Sequence, residues 1–193
     1  MSNNGSNDIQ KVSTGKPATT GSVFCAPFGT TLPTGVDTAL NDAFVCMGYI
    51  SDAGITNAKT RDTSDVKAWG GDVIAVTQDK KTDNFKMKFV EVLNQNVLKV
   101  VYGKDNVEGT DLTEGITLRE NSKELDHWAW VIDRIMTDGT KSRTVIADGK
   151  PISVDDVSYV DNDVIGFDTT IQAFPATALD QDTHREFLKK ASA

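Results

Sequence analysis

The chain has few of the residues that build metal or redox sites. Its 193 residues include two cysteines and two histidines. Cys25 and Cys46 sit among apolar neighbours, without a histidine or second cysteine at ligand spacing, which favours buried free thiols over a disulfide or metal ligands. His127 falls in a Trp-rich strand pattern typical of a strand surface or interface, and His184 lies near the C-terminus, where solvation is expected. No metal centre or histidine-based catalysis is predicted.

Long apolar runs are also absent. The longest ones, Ala43–Met47 and Leu98–Tyr102, are far shorter than the ~20 residues that a membrane-spanning helix requires. The first residues, Met1–Asp8, lack the basic and apolar regions of a secretory signal. The sequence therefore predicts a protein without a membrane span that folds in the cytoplasm where it is made.

Catalytic motifs are missing as well. No Gly-Lys pair is followed by Ser or Thr as in a phosphate-binding loop, and no Gly-x-Ser-x-Gly occurs. Asp161–Asp163 is similar to the start of a calcium loop, but its glycine comes at Gly166 and no Glu stands at the twelfth position. A solvated, acidic end of a sheet is the simpler interpretation. We predict neither an enzyme nor a cofactor.

The formal net charge of −8 comes entirely from the second half of the chain. Residues 1–103 contain ten Lys and Arg and ten Asp and Glu, whereas residues 104–193 contain ten and eighteen. Tight nucleic-acid binding relies on clustered Lys and Arg, so this balance argues against it. An acidic wall would instead repel DNA, although ordinary solubility explains the same charge.

The two ends of the chain differ from its middle. Residues 1–20 have almost nothing to bury and predict a flexible N-terminal arm. Residues 21–175 form the predicted β domain. Residues 176–193 are a C-terminal tail or short helix, because Thr183–Glu186 has the pattern of a capping box.

The region from residue 43 to residue 72 predicts a strand followed by a long loop. Ala43–Ser51 is apolar on both faces, which indicates a central strand. Residues 52–72 are rich in Asp, Thr, Lys and Arg and contain Gly54 and the Gly70–Gly71 pair. They predict a connection of about twenty residues, a length that is usually functional or mobile. This connection contains Ile55, Val66 and Trp69, which a purely solvated loop does not need.

A hairpin and a helix follow. Val73–Gln78 and Thr82–Val92 predict two strands joined across Asp79–Lys81. Period-two alternation in the second strand places one group of side chains on a dry face and the other on a wet face: Phe85, Met87 and Phe89 against Asn84, Lys86 and Lys88. Leu93–Gly103 then has helical spacing, with Asn94 able to cap its start and Gly103 suited to its end.

The second half of the chain predicts a meander. Strands are indicated at Gly115–Arg119, His127–Met136, Ser142–Ala147 and Val164–Phe174, with hairpin turns at Asp138–Gly139 and Asp148–Gly149. Together with the earlier strands this predicts a mainly β fold: an antiparallel β-sandwich or half-barrel with one short helix packed on the sheet.

Several of these features occur together in a family pattern between residues 48 and 103. Its elements are Gly48-Tyr49-Ile50-Ser51, Gly54, Ala68-Trp69-Gly70-Gly71-Asp72-Val73, Phe85 and Phe89 ahead of Glu91, and Val97-Leu98-Lys99-Val100-Val101-Tyr102-Gly103. In this ordered combination the chain resembles the tail tube proteins, or major tail proteins, of long non-contractile tailed bacteriophages. The meander and the last strand fit the same family more loosely.

The resemblance implies a structural virion protein that self-assembles. Six subunits would form a ring by joining their sheets into an inner β-barrel, and rings would stack into the tail tube. The implied partners are further copies of the chain, a tape measure protein, tail terminator and tail-tip proteins, and DNA passing through the lumen without specific binding. Mobile arms and the 52–72 connection would make the joints between rings.

Two sets of residues are candidates for these roles. The inter-subunit candidates are Ile55, Arg61, Val66, Trp69, Gly70, Gly71 and Asp72. The candidate inner-barrel strand comprises Asn84, Phe85, Lys86, Met87, Lys88 and Phe89, whose lysines would face the lumen and so oppose an evenly acidic channel. The alternative function is a β-sandwich binding module of an adhesin or virion decoration, assisted by calcium.

Overall fold

A large antiparallel sheet dominates the computed structural model, which describes residues 12–18 and 21–190 of the chain. The strands are β1 (Gly15–Pro17), β2 (Val23–Pro27), β3 (Val45–Cys46), β4 (Ile50–Lys67), β5 (Val73–Phe89), β6 (Val107–Glu108), β7 (Thr117–Leu118), β8 (Trp128–Met136), β9 (Lys141–Val154), β10 (Phe167–Ala173) and β11 (Arg185–Lys189). The helix α1 spans Gln95–Tyr102, and short 3-10 turns span Lys104–Asn106 and Thr177–Leu179.

The strands of the large sheet follow the order β3-β2-β8-β9-β10-β5-β4. β1 pairs with the far end of β8, and β11 pairs with the first half of β9, while β6 and β7 form a separate small ladder. All of these pairings are antiparallel. The sheet is open and ends at β4. The predicted mainly β, antiparallel fold with one short helix on the sheet is confirmed.

The main core lies between α1 and one face of the sheet. The helix buries Val97, Leu98, Val100 and Val101 against strand residues such as Phe89 and Trp130. A second, smaller cluster on the opposite face covers β8 and β9, where the chain before β3 contributes Phe44. β8 is therefore apolar without a break from Trp128 to Ile132, where both of its faces are buried, whereas β10 alternates because one of its faces is open.

The predicted helix is confirmed at both ends. The Asn94 side chain accepts a hydrogen bond from the Asn96 backbone N–H at 3.0 Å, which satisfies one of the donors at the helix start. Gly103 ends the helix with φ of 90°. Burial of its apolar stripe outweighs the low helix propensity of Val100 and Val101.

The prediction of a central strand over Ala43–Ser51 is wrong. Val45–Cys46 pairs at the edge of the sheet against β2, and Ile50–Ser51 already belongs to β4, with Ile50 opposite Phe89. Gly48 breaks the run with φ of 73°, and a Cβ there would clash with the Glu91 carboxylate. That carboxylate accepts a hydrogen bond from the Tyr49 backbone N–H at 3.0 Å. The turn at Gly48 therefore leaves space for the Glu91 side chain.

The predicted loop at 52–72 and the predicted turn at Asp79–Lys81 are also wrong. β4 and β5 form one long hairpin that pairs from Ile50 opposite Phe89 to Lys67 opposite Val73. The connecting turn is at 68–72, and Asp79 is an extra residue within β5, where the register shifts. The segment is polar because neither face of the outer hairpin is buried, and this removed the alternation that marks a strand.

In the second half, the turn at Asp138–Gly139 is confirmed, with Met136 N–H donating to Thr140 O at 2.8 Å. The turn at Asp148–Gly149 is wrong, since β9 runs through it to Val154. Gly149 is needed there because the Trp130 indole lies on it: a Cβ would sit 2.6 Å from the ring. The strand at Gly115–Arg119 is reduced to Thr117–Leu118. Val164–Phe174 is shortened to β10.

Both ends of the described chain join the sheet. Gly15–Pro17, within the predicted N-terminal arm, pairs with Arg134–Met136, whereas residues 1–11 and 19–20 of that arm lie outside the described residues. The short C-terminal helix is wrong, because Arg185–Lys189 is the strand β11, paired with Lys141–Val145. Residues 191–193 also lie outside the described part. Backbone pairing with β9 therefore outweighs the helix tendency of the local capping-box pattern.

Candidate assembly surfaces

The outer part of the β4–β5 hairpin is an exposed two-stranded ribbon, here called the arm. It comprises Lys59–Lys67, the turn at 68–72, and Val73–Lys81. Every residue from 59 to 81 is exposed except the half-buried Ala68. Nine residues per strand at about 3.3 Å each give the arm a reach of roughly 30 Å. The arm therefore projects from the sheet.

The tip of the arm is apolar. Its turn is closed by Ala68 N–H donating to Asp72 O at 2.8 Å and Gly71 N–H donating to Ala68 O at 3.0 Å. Gly70 and Gly71 adopt φ of 121° and 100°, a region that favours glycine. Trp69 is fully exposed, and so in large part are Val66, Val73, Ile74 and Val76. An exposed apolar group of this kind typically marks an interaction site.

The root of the arm is fixed by a buried carboxylate, Asp83, which is 0% exposed. Asn57 Nδ2 donates to its Oδ1 at 2.7 Å, and Thr183 Oγ1 donates to its Oδ2 at 2.6 Å. His184 Nδ1 lies 2.5 Å from the same Oδ2, and its ring stands edge-on to Phe85 with 5.2 Å between centroids. The prediction that His184 is solvated is wrong, because it joins β11 to the arm.

The contacts at the root also change the pKa of Asp83. Burial by itself raises the pKa of Asp83, but hydrogen bonds from Thr183, Asn57 and His184, together with the charge of His184, outweigh it and hold the pKa below its usual value. Asp83 is therefore kept as a carboxylate that accepts from three side chains. The site links β4, β5 and the segment before β11.

The edge of the sheet beyond β4 is open. β4 is the last strand in the sheet order, and it is 18 residues long. One row of its backbone N–H and C=O groups therefore has no strand of the described chain beside it. A long open edge is a template for pairing with another chain, and soluble proteins normally cover or shorten such edges.

A polar face lies over β9, β10, β5 and β4, opposite the helix. Register places the following residues on it: Lys150, Ser153, Asp168, Thr170, Gln172, Asn84, Lys86, Lys88, Thr56 and Ala58. Lys86 Nζ lies 2.8 Å from Asp155 Oδ2 and 3.8 Å from Asp168 Oδ1. The hydrogen bond to Asp155 and the charges of Asp168 and Asp155 raise the pKa of Lys86. The face carries mixed charges and is not acidic.

Much of the acidic excess lies elsewhere, in loops. One of them, residues 155–166 between β9 and β10, is here called the acidic loop. It contains Asp155, Asp156, Asp161 and Asp163, all exposed. Val157 and Ile165 are partly buried at its two ends.

The inter-subunit candidates fall into two places. All of them except Ile55 lie on the arm or its turn: Arg61, Val66, Trp69, Gly70, Gly71 and Asp72. Ile55 instead packs against the main core below the root. The structure thus groups six of the seven on one projecting element. Their contact with another subunit stays a prediction.

The candidate inner-barrel strand divides between two faces. Phe85, Met87 and Phe89 are buried in the core, with exposures of 4%, 2% and 0%. Asn84, Lys86 and Lys88 lie on the polar face. The predicted alternation is confirmed, and only the three polar residues are available to line a lumen. Whether they do so stays a prediction.

Other parts of the arm were missed from the sequence. The arm also carries Lys59, Lys67 and Lys81. A polar stretch of sequence without alternation does not show which of its charged side chains share a face. Asp83 was also missed, because its partners Thr183 and His184 are about a hundred residues away in the chain. Such a pairing leaves no local pattern.

Other kinds of site find little support. Among residues 12–18 and 21–190, no group of three or more His, Cys, Asp or Glu is arranged to hold a metal ion. No helix in the same residues is long and apolar enough to cross a membrane. Cys25 and Cys46 are free, but only Cys25 is buried, so the prediction of burial is wrong for Cys46. Burial raises the pKa of the Cys25 thiol to about 12.

Comparison with known proteins gives one family. A family model described as phage tail tube protein matches residues 10–190. No curated protein matches the chain in sequence. The solved structure of the anti-feeding prophage cap (AFP tube terminating cap) is similar at 14% identity, covering 91% of this chain and 93% of that chain, with a TM-score of 0.38. That likeness is too slight to support a conclusion. The family match spans the arm, the open edge and the polar face together.

Proposed function

Because the chain belongs to the phage tail tube protein family, we propose that it forms hexameric rings that stack into the tail tube and enclose the path of the DNA. The family is one of structural virion proteins, so the chain is a structural component of the tail and not an enzyme. The finer proposal concerns how the copies join. It rests chiefly on the open edge of β4.

Ring closure is proposed to use the two ends of the sheet. β4 leaves an unpaired edge at one end, and the short strands β3 and β1 lie at the other. Two different edges that meet head to tail give a heterologous contact, which closes into a ring when the rotation per subunit divides a full turn. Pairing of this kind would also remove the aggregation hazard of an exposed strand.

The polar face is proposed to line the lumen. It is the uncovered side of the strands β10, β5 and β4, which a continuous inner barrel would use. Lys86 and Lys88 would then face the DNA, with Lys86 held by Asp155 and Asp168. A lumen in which carboxylates offset Lys86, and which also carries the hydroxyls of Ser153, Thr170 and Thr56, would limit the attraction for DNA. With this orientation the lumen carries mixed charges, and not the acidic wall that the charge distribution along the sequence suggested.

The arm is proposed to make the contacts between subunits, with Trp69 as its anchor. A fully exposed tryptophan at the end of a projecting ribbon is the residue type that dominates many interfaces. The tape measure protein, the tail terminator and the tail-tip proteins are the other proposed partners, inside the tube and at its two ends.

Electron microscopy of tails that contain the protein, and of the concentrated protein, tests the proposal. We expect stacked rings with six-fold symmetry and a central channel. Rings of another order would overturn the hexamer, and tails without the protein in their wall would overturn the tube assignment. A map with Lys86 and Lys88 on the outer surface would overturn the lumen assignment alone.

A further inference from the structure

We propose that the arm binds the acidic loop of a neighbouring copy, and that it does so through one of its two faces. The inference rests on the proposed assembly into a tube and adds which two surfaces meet. The arm is an unpartnered two-stranded sheet, and its two faces differ in chemistry.

One face of the arm is basic. Register from the β4–β5 pairing places four cations on the same side: Lys59, Arg61, Lys67 and Lys81. Asp65 is the one carboxylate among the exposed residues that share this side, and Val73 and Val76 lie beside it near the tip. The side continues the buried face of β5, since Asp83 pairs with Lys59. We call this surface the basic face.

The opposite face, here called the hydroxyl face, has no excess of cations. It carries hydroxyl residues that pair across the ribbon, Thr60 with Thr82 and Ser64 with Thr77. Its charged residues are Asp62 and Lys80, which stand directly opposite each other, and Asp79, whose carboxylate accepts a hydrogen bond from the Ser64 hydroxyl. Water can satisfy these hydroxyl groups, and Val66 lies on the same face near the tip. The difference between the faces selects the basic one for docking.

The cations of the basic face lack carboxylate partners within the described chain. Arg61 Nη1 donates to Gln78 Oε1 at 2.6 Å, and Lys81 Nζ donates weakly to Thr183 Oγ1 at 3.4 Å. The salt bridges between described residues use other lysines and arginines. Four like charges on one narrow ribbon repel each other, and a surface of opposite sign would relieve that repulsion.

The acidic loop offers the complementary surface. No Lys, Arg or His occurs between Lys150 and His184. Asp155 is bound by Lys86, so the aspartates of the loop without a cation partner among the described residues are Asp156, Asp161 and Asp163. It also exposes three large apolar side chains: Tyr159 at 74%, Val160 at 50% and Val164 at 62%. Valines and lysine stems of the basic face can pack on these groups while the charged ends meet the aspartates.

A second copy is the occupant that the charges favour. The basic face has a positive balance, whereas each copy of the chain carries a formal net charge of −8. Free DNA would meet that same negative field on approach, and it would not use the exposed valines and Trp69. A projecting arm of roughly 30 Å can reach beyond its own subunit. The acidic loop of a neighbouring copy offers carboxylates to the cations of the basic face and apolar side chains to the tip of the arm.

A charge-swap experiment tests the proposal. Arg61→Glu and Asp161→Arg are made singly and together, and the number of tubes or complete tails is counted by electron microscopy. We expect each single reversal to lower the yield by more than about tenfold, because like charges brought together at an interface are strongly unfavourable. The combined variant should recover to within about threefold of the original protein, since the pair is restored with opposite polarity.

A matched control uses the hydroxyl face. Lys80→Glu makes the same reversal on the same ribbon, and we expect tube yield to change by less than about threefold. Circular dichroism of each variant verifies that the exposed substitutions leave the fold intact.

Tubes that form normally with Arg61→Glu and with Asp161→Arg would overturn the docking while leaving the tube function in place. If both single reversals lower the tube yield and the combined variant does not restore it, the direct contact between Arg61 and Asp161 would also be overturned. Failure of the unaltered protein to enter tails would instead refute the proposed function. Rescue by the combined variant supports the proposal.

Discussion

Replacing Asp83 by leucine tests whether the root of the arm is stabilised by its buried carboxylate. The two side chains are similar in size, so the main loss is the acceptor for Asn57, Thr183 and His184. A hydrogen bond to a charged group contributes about 1.5–3 kcal/mol. The three losses do not add fully, because Asn57 is exposed and can bind water instead. We expect the free energy of unfolding to fall by about 3 kcal/mol.

Urea denaturation followed by tryptophan fluorescence measures this change. With a slope of about 2 kcal/mol per molar urea, the midpoint should fall by about 1.5 M. Asp65→Leu is the matched control, since Asp65 is exposed on the same hairpin, and it should change stability by less than about 0.5 kcal/mol. A midpoint for Asp83→Leu within about 0.3 M of the control would refute the stabilising role of Asp83.

The same carboxylate predicts an acid-sensitive contribution. The folded pKa of Asp83 lies below its usual 3.8, so its stabilisation is present above that value and is lost as the pH falls through the folded pKa. Asp83→Asn keeps the shape without titrating. The difference in urea midpoint between the original protein and this variant should therefore shrink from pH ~6 to pH ~2.5. An equal difference at both pH values would contradict the linkage.

Three further substitutions give separable outcomes. Gly48→Ala should lower the free energy of unfolding by about 2 kcal/mol, because the new Cβ would meet the Glu91 carboxylate and the φ is positive. An unchanged urea midpoint would exclude that crowding. Gly149→Ala should cost about 1–3 kcal/mol by displacing the Trp130 indole, with a change in near-ultraviolet circular dichroism as the second readout. Trp69→Ala should leave the denaturation midpoint unchanged and weaken assembly about thirtyfold or more in sedimentation, and normal assembly would remove Trp69 as the anchor.

Patterns that depend on burial were predicted well. Phe85, Met87 and Phe89 alternate because one face of β5 is in the core, and the period is visible in the sequence. The helix was also visible, since the Asn94 cap and the end at Gly103 are local signals. The family resemblance likewise rests on local residues between 48 and 103.

Patterns without burial were missed. The outer halves of β4 and β5 have no dry face, so their sequence reads as a loop although their backbones pair. The capping-box residues near Thr183 favoured a helix, but pairing with β9 decided the structure. The root of the arm depends on contacts between positions 83 and 183–184, and no local signal reports such distant partners.

The buried root and the exposed arm divide one hairpin into two parts with different local stability. Beyond Asp83 the ribbon is held by its own cross-strand hydrogen bonds, and a two-stranded hairpin alone is only marginally stable in water. Amide hydrogen exchange should therefore be slow at Phe85 and Phe89 and become progressively faster toward Trp69. In a tube joined through such arms, bending would be absorbed by the ribbons between subunits, while the sheets that surround the channel keep their shape.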